Sequence, residues 1–534
     1  MRVFRFFIVL VLALFLGGGW GAASTLTELP PLSNPSVTPS YKKTPPQAEG
    51  QPSGEPEEKK PTAPEEGAAP AAGTPEEKQG AETTAAPEAA SQAMDQHPEY
   101  PFYPSLIRVD GEMPVSLDKF QGAPECGVCH KRIYQQWKGS MHAAAFTDPV
   151  WRAMAALGSE ETGGKTDKFC IGCHTPIGLA TGDVTNVAGI FSEETDLLST
   201  YGVQCDACHV MSESHGKETP FGEPGNASFT LSPGVIKRGP YEDCDAGGIH
   251  EGLWSSLHVS SKICANCHQS FHGNVPLERT YDEWKRSVYA KKGIQCQHCH
   301  MMPVEKAVEA ARTLVPPEMW GPASELKPER SPFFPHWFLG ANTAMAKEEG
   351  YQDHAREIMH RLQTAAALEL EVSDAVVTPG RLLKLKIKVK NIAAGHNLPT
   401  SLAELRQMWL NVQVADQDGR VFFHSGDLTE SGTIERDSRI FNAYAVDENG
   451  QHTLKPWKVD HFLWNRTIPP KGMAIETYTF LVPKGIRKSV KVIVKLRYRS
   501  YPQSLVNRLL KDKAFTVPVI DMVEKRLVLP VVGE

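Results

Sequence analysis

Cys126-Gly127-Val128-Cys129-His130 decides how this chain is read, because the same C-x-x-C-H pattern returns four more times. The later copies are Cys170/Cys173/His174, Cys205/Cys208/His209, Cys264/Cys267/His268 and Cys296/Cys299/His300, and the five together use ten of the eleven cysteines. Two thiols separated by two residues reach the two vinyl groups of one haem and form thioethers. The adjacent imidazole then falls on the iron as proximal ligand. Other cysteine chemistries leave the histidines unexplained. A disulfide framework has no use for a histidine after every pair, and a zinc site consumes two C-x-x-C pairs per metal. A thioredoxin-type pair needs a βαβ context that is absent here. The expectation is five c-type haems, with iron bound by His130, His174, His209, His268 and His300.

Haem attachment of this kind takes place outside the cytoplasm, and the N-terminus carries a matching signal. Arg2 and Arg5 form a charged region, Phe6 to Leu16 is an unbroken apolar run, and Gly21-Ala22-Ala23 offers small residues for cleavage. Residues 1–23 are therefore expected to be a signal peptide, and the protein exported to the periplasm or outer surface. The alternative is an uncleaved anchor that tethers the protein to a membrane, although the apolar run falls short of the ~20 residues of a span. Residues 24–100 hold 14 prolines, 13 acidic residues and 5 lysines, with little that could form a core. That composition reads as a disordered tether. The tether carries net charge −8, and residues 101–534 only −1, so no basic surface suggests a nucleic-acid partner.

The rest divides by hydrophobic period. Residues 101–367 hold all five motifs and are expected to be a helix-and-loop pentahaem domain with the porphyrins as its core. Tyr134, Trp137 and Met141 follow His130 at helical spacing, and Ala355, Ile358, Met359 and Leu362 mark a closing helix. From 368 to 534 the period becomes two. Leu383, Leu385, Ile387 and Val389 alternate with lysines, as do Met408, Leu410, Val412 and Val414 with their neighbours, and Val490 to Tyr498 a third time. Asp418-Gly419, Asn449-Gly450 and Pro469-Pro470-Lys471-Gly472 supply turns. This predicts an antiparallel β-sandwich with a short helix near Ser504–Leu510, and an α+β multidomain chain.

Electron-transfer haems usually take a sixth ligand, and fourteen histidines remain. The candidates are His142, His336, His215, His258 and His396, with His250 and His272 in reserve. His142 lies too far along a helix from His130 to share its iron, so it is expected to serve a neighbouring haem. The same crowding assigns His215 and His258 away from the haems of His209 and His268. His396 sits in a glycine-preceded loop between strands and is expected to reach across the domain boundary. His298 is expected to be exposed within its C-x-x-C loop. His354, His360, His424, His452 and His461 read as surface or sheet residues, and His97 belongs to the tether. Met301 and Met302 are expected to pack on the ring. Cys244, flanked by acids, reads as a buried or inert thiol.

The run His130-x3-Tyr134-x2-Trp137-x2-Ser140-x-His142, with Gly202-Val203-Gln204-Cys205-Asp206-Ala207-Cys208-His209, resembles the cytochrome c-552/c-554-like multihaem family, which is related to hydroxylamine oxidoreductase. Tyr281-Asp282-Glu283-Trp284, Cys296 to Met301, Gly395 to Thr400 and Arg466 to Pro470 are similar to its larger bacterial members. The resemblance implies stacked haem pairs, mostly bis-histidine ligation and periplasmic electron transfer. Tetrahaem members have one motif fewer and octahaem enzymes three more. No C-x-x-C-K occurs, so the lysine-ligated catalytic haem of pentahaem nitrite reductases has no counterpart. The leading expectation is an electron carrier between redox partner proteins that the sequence does not name. The alternative is an oxidoreductase with one five-coordinate haem acting on a small nitrogen or sulfur compound. A third reading makes the sheet domain a docking module through the cationic faces of its strands.

Overall fold

The computed structural model describes residues 100–532, apart from 218, 221, 349 and 350 and the side chains of 346–348. The expected signal peptide, the tether up to residue 99 and His97 lie outside the described residues. Among those described, no helix is long and apolar enough to cross a membrane.

Up to Ala365 the chain is built of short helices, each stopped by a local device. Pro149–Thr162 starts on Asp148, whose carboxylate accepts from Val150 N at 2.8 Å and Trp151 N at 3.3 Å. Pro149 presets the first turn, and Gly163 in the left-handed region (φ 61°) ends the helix. Lys131–Lys138 ends at Gly139, where a Cβ would fall 2.3 Å from His354 Nδ1. Tyr134 and Trp137 therefore share this helix, but Met141 lies beyond it.

Two expectations for this part need correction. Between the motifs lie strands as well as helices and loops: Arg108–Val109, Phe229–Leu231 and Met211–Ser214 form one sheet, Ile236–Gly239 pairs with Glu251–Trp254, and Ser270–His272 pairs with Val275–Glu278. The strands have a positional reason, because two of them carry hydrogen-bond acceptors to proximal histidines, as described below. The part also has an apolar core of its own, in which Ile107, Ile171, Ile177, Leu179, Val184, Phe229 and Leu231 are fully buried. Porphyrins are not needed to supply all of it.

The helix Gln352–Ala365 buries Ala355, Ile358 and Leu362, with Met359 partly buried beside them, and runs directly into the strand Ala366–Val372. Two antiparallel sheets follow. Ala366–Val372, Leu382–Asn391 and Met473–Leu481 make the first. The second centres on Gln407–Ala415, Ser489–Arg499 and Ile520–Pro530, flanked by Val421–Ser425 and Ile440–Phe441. Their alternating apolar residues meet in one cluster, with Leu385, Ile387, Val389, Leu410, Val412, Val492 and Val494 at 0% exposure. Gln407–Ala415 departs from simple alternation, since Trp409 and Asn411 are buried too. Its second face is covered by the following loop, where Trp409 Nε1 donates to Gly426 O at 2.9 Å. The short helix is Gln503–Leu510.

The strand lysines do not form an open cationic face. Lys386 pairs with Glu371 at 3.2 Å, and Lys388 and Lys390 pair with Glu371 and Glu369 across the strand Ala366–Val372. Lys495 and Arg497 are likewise answered by Asp521.

Candidate haem centres

Each proximal histidine is held from behind through Nδ1. His130 faces Ala323 O at 2.5 Å, His174 faces Ala145 O at 2.8 Å, His209 faces Arg238 O at 2.6 Å and His300 faces Leu339 O at 2.6 Å. His268 faces Glu278 Oε1 at 3.2 Å. An oxygen acceptor requires the proton on Nδ1, and that leaves the Nε2 lone pair free for a metal. The strand Ile236–Gly239 delivers the carbonyl to His209, and the hairpin ending at Glu278 delivers the carboxylate to His268.

Four of the five rings face a second histidine ring. The centroid separations are 6.4 Å for His130 and His250, 6.1 Å for His268 and His142, 6.1 Å for His209 and His336, and 5.9 Å for His300 and His396. Two imidazoles bound on opposite sides of one first-row metal, with ~2 Å metal–nitrogen bonds, set their centroids about 6 Å apart. Three of the second rings also have Nδ1 engaged: His250 with Glu251 O at 3.2 Å, His336 with Phe334 O at 2.8 Å and His396 with Asn397 O at 2.9 Å. Burial holds His142, His300 and His336 down to about 3 and His174 to about 4, so these rings are neutral, as a ligand must be. His268 is the exception. Burial pulls it down, but the Glu278 carboxylate outweighs burial and holds it at about 9.

The remaining expected ligands lie elsewhere. His258 stacks 5.5 Å from His209, with Nε2 donating to Cys208 O at 3.0 Å and Nδ1 buried without a hydrogen-bond partner. His215 packs against Tyr100 at 5.8 Å. His272 is exposed in its hairpin. Among the described residues no histidine ring faces His174. Trp151 lies flat on it instead, at 4.3 Å and 8°.

His298 is half-buried rather than exposed, and its Nδ1 accepts from Gln295 N at 2.9 Å to cap the motif turn. His354 is buried rather than superficial, with Nε2 donating to Gln136 O at 2.7 Å. His360, His424 and His461 are exposed beside carboxylates, and His452 stacks on Tyr444. Met302 is buried and Met301 half-buried. Cys244 is exposed rather than buried, in a loop pinned by ion pairs from Asp243 to Arg330 and from Asp245 to Lys327.

Several positioning residues escape a reading of motifs alone. Gln136 accepts from His354 on its carbonyl and from His336 N on its side chain at 2.9 Å, so one buried residue fixes the backbone of a candidate ligand. Glu283 accepts from Asn397 N at 3.1 Å and Thr400 Oγ1 at 2.6 Å, holding the loop that carries His396 against the haem part. Burial pushes its carboxyl up to about 7. Gly202 (φ 64°) lies where a Cβ would fall 2.7 Å from His142 O, and the peptide of Val203 donates to that same oxygen at 2.9 Å. With Trp137 Nε1 donating to Val203 O at 2.9 Å, these contacts tie the segment after the first motif to the start of the third.

The cysteines are arranged to fit several haems at close quarters. Cys126 contacts Cys205, Cys173 contacts Cys267, and Cys264 contacts Cys296. Arg361 Nε, beside Cys299, is buried with no partner, although its NH2 group donates to Cys299 O at 2.6 Å. An orphaned guanidinium nitrogen suits a haem propionate. The residues present therefore fit the group.

Residues 125–210 match the family model described as cytochrome c554 and c-prime. Cytochrome c-554 of Nitrosomonas europaea is 26% identical over 161 residues, which cover 29% of this chain and 60% of that relative's length. The crystal structure of a penta-heme cytochrome c552 from Thermochromatium tepidum superimposes with a TM-score of 0.53 at 18% identity, covering 77% of this chain and 99% of that one. Five C-x-x-C-H motifs whose histidines have Nδ1 acceptors, a matched signature over the first three of them and a shared fold together support a multihaem c-type cytochrome.

Proposed function

We propose that the protein is an exported electron carrier with five haems c, one on each C-x-x-C-H motif, passing single electrons between redox partner proteins. Bound haem supplies one-electron iron chemistry, and the chain sets the potential through axial ligands, burial and hydrogen bonds. The observation that carries this reading is the set of four histidine pairs spaced 5.9 to 6.4 Å. A carrier gains from two strong axial ligands that stay in place in both oxidation states. In this reading His250, His142, His336 and His396 complete the irons of His130, His268, His209 and His300. Export follows from the N-terminal signal and from the attachment chemistry. The test is intact mass together with electron paramagnetic resonance of the oxidised protein. The expected result is a mass gain of five haems and four low-spin centres. A gain of four haems, or a spectrum dominated by high-spin iron, sinks it. His396→Ala should turn one further centre high-spin and loosen the sheet part toward protease.

One observation favours a second reading for the remaining haem, an oxidoreductase centre. Among the described residues His174 faces no histidine, and Trp151, which lies flat on it, has its buried Nε1 without a hydrogen-bond partner. An iron held by His174 alone would offer an open position to a small nitrogen or sulfur compound, with Trp151 as a donor nearby. Hydroxylamine, nitrite or cyanide should then perturb a single high-spin signal, whereas the pure carrier leaves all signals unmoved.

A further inference from the structure

Four proximal histidines lean on neutral peptide carbonyls, and one leans on a charge. The hairpin Ser270–His272 and Val275–Glu278 begins two residues after the fourth motif and returns to it, with Ser270 opposite Glu278 in register. That turn places Glu278 Oε1 3.2 Å from His268 Nδ1. The carboxylate is 13% exposed, and Thr280 Oγ1 donates to the same oxygen at 3.4 Å.

A carboxylate draws the Nδ1 proton more strongly than a carbonyl does. The imidazole becomes a stronger electron donor through Nε2, and a stronger donor stabilises ferric over ferrous iron. The position of this motif adds to the effect. Cys267 contacts Cys173 and Cys264 contacts Cys296, and Asn266, inside the fourth motif, donates to Met211 Sδ at 3.1 Å, two residues past the third. The fourth motif thus adjoins the second, third and fifth.

We propose that Glu278 is a positioning residue that lowers the reduction potential of the haem held by His268, the junction through which the haems of the second, third and fifth motifs exchange electrons. The inference rests on the reading that the fourth motif holds a haem ligated by His268 and His142. Each transfer moves one electron from a ferrous to a ferric iron; no bond forms or breaks, and the Nδ1 proton stays on His268. An electron is then least stable at the junction, so charge resides on the flanking haems and crosses the centre only in transit.

The experiment is a potentiometric titration of the holoprotein, followed by visible and paramagnetic resonance spectra, for wild type and Glu278→Gln. Gln keeps the size and an acceptor oxygen but removes the charge. The expected result is an upward shift of one midpoint and a changed g-value for one low-spin signal, the one that disappears in His142→Ala. Five haems and low-spin His268 iron with every midpoint unchanged overturn the proposal while leaving the carrier reading intact. Missing haem or high-spin iron at this motif in the wild type overturns the carrier reading itself. If Glu278→Gln does not retain its haems, Glu278→Asp, with a shorter reach to Nδ1, should move the same midpoint upward by less. No movement there overturns the proposal equally.

Discussion

The two parts of this molecule fill their centres with opposite materials. In the sheet part, Leu385, Ile387, Val389, Leu410, Val412, Val492 and Val494 are fully buried in one apolar cluster, closed by Ala355, Ile358 and Leu362 of the preceding helix. In the haem part an apolar core occupies one region, but the motifs converge on facing pairs of imidazoles and on buried donors such as Trp151 Nε1 and Arg361 Nε without partners. Polar groups left this way cost about 1–3 kcal/mol each unless something pairs with them. The sheet part therefore carries its stability in its own side chains. The haem part has part of its stability on loan from the cofactor.

The largest expected effect breaks that comparison directly. Cys205→Ala with Cys208→Ala removes the attachment of a haem whose motif touches the first one through Cys126. Limited proteolysis read by mass spectrometry should show the region before residue 350 cut rapidly, with a fragment from about 352 to 534, closing helix and sheets together, surviving. Equal protection of both parts would refute the contrast. In the reverse direction, Leu410→Ala opens a cavity in a strand at 0% exposure and should cost about 2–5 kcal/mol. Denaturant unfolding followed by fluorescence should show the loss, while low-spin spectra of the haems of His130, His209 and His268 stay unchanged below the transition. Loss of those spectra at low denaturant would mean the parts unfold as one.

How much of this was legible in the sequence follows the same division. The strands announced themselves, because a period of two over nine or more residues leaves few alternatives, and the helix closing on Leu362 did so through its apolar stripe. The attachment cysteines were legible because covalent chemistry fixes their spacing. Second histidines were less so. His396 and His250 both follow glycines in loops, and both rings lie 5.9 to 6.4 Å from a motif histidine, but a glycine before a histidine is a weak signal on its own. His258 looked equivalent to His336 in sequence. What separates them is which ring nitrogen a backbone carbonyl occupies, and that depends on chain segments far apart. Glu278, Glu283 and Gln136 had no motif to mark them, since each acts through a partner that only the fold brings near. The strand lysines equally suit plain solubility, and their pairing was hidden for the complementary reason: Glu369 and Glu371 sit on a neighbouring strand in register with them.

The smallest expected effect sharpens the boundary between the parts. Glu161, at the end of the helix Pro149–Thr162, accepts from Trp457 Nε1 at 3.0 Å and pairs with Lys458 at 3.2 Å and with Lys455, all from the sheet part. Lys455 first, then the indole and Lys458, outweigh the opposing effect of burial and hold the carboxyl at about 2, against roughly 4.3 in an unfolded chain. A folded value below the unfolded one means the contribution is present above about pH 4.3 and drains away as the pH falls toward 2. The side chain is 21% exposed, so solvent and salt screening limit the contribution to about 1 kcal/mol or less. Hydrogen exchange of residues 149–162, compared between wild type and Glu161→Gln, should show a small protection difference near neutral pH. That difference should shrink in high salt and vanish as the pH falls through 2, where Glu161 becomes neutral like the glutamine. A difference that persists below that pH would assign the contact to packing of Trp457 against Gly158, at 3.2 Å from a Cβ placed there, rather than to charge.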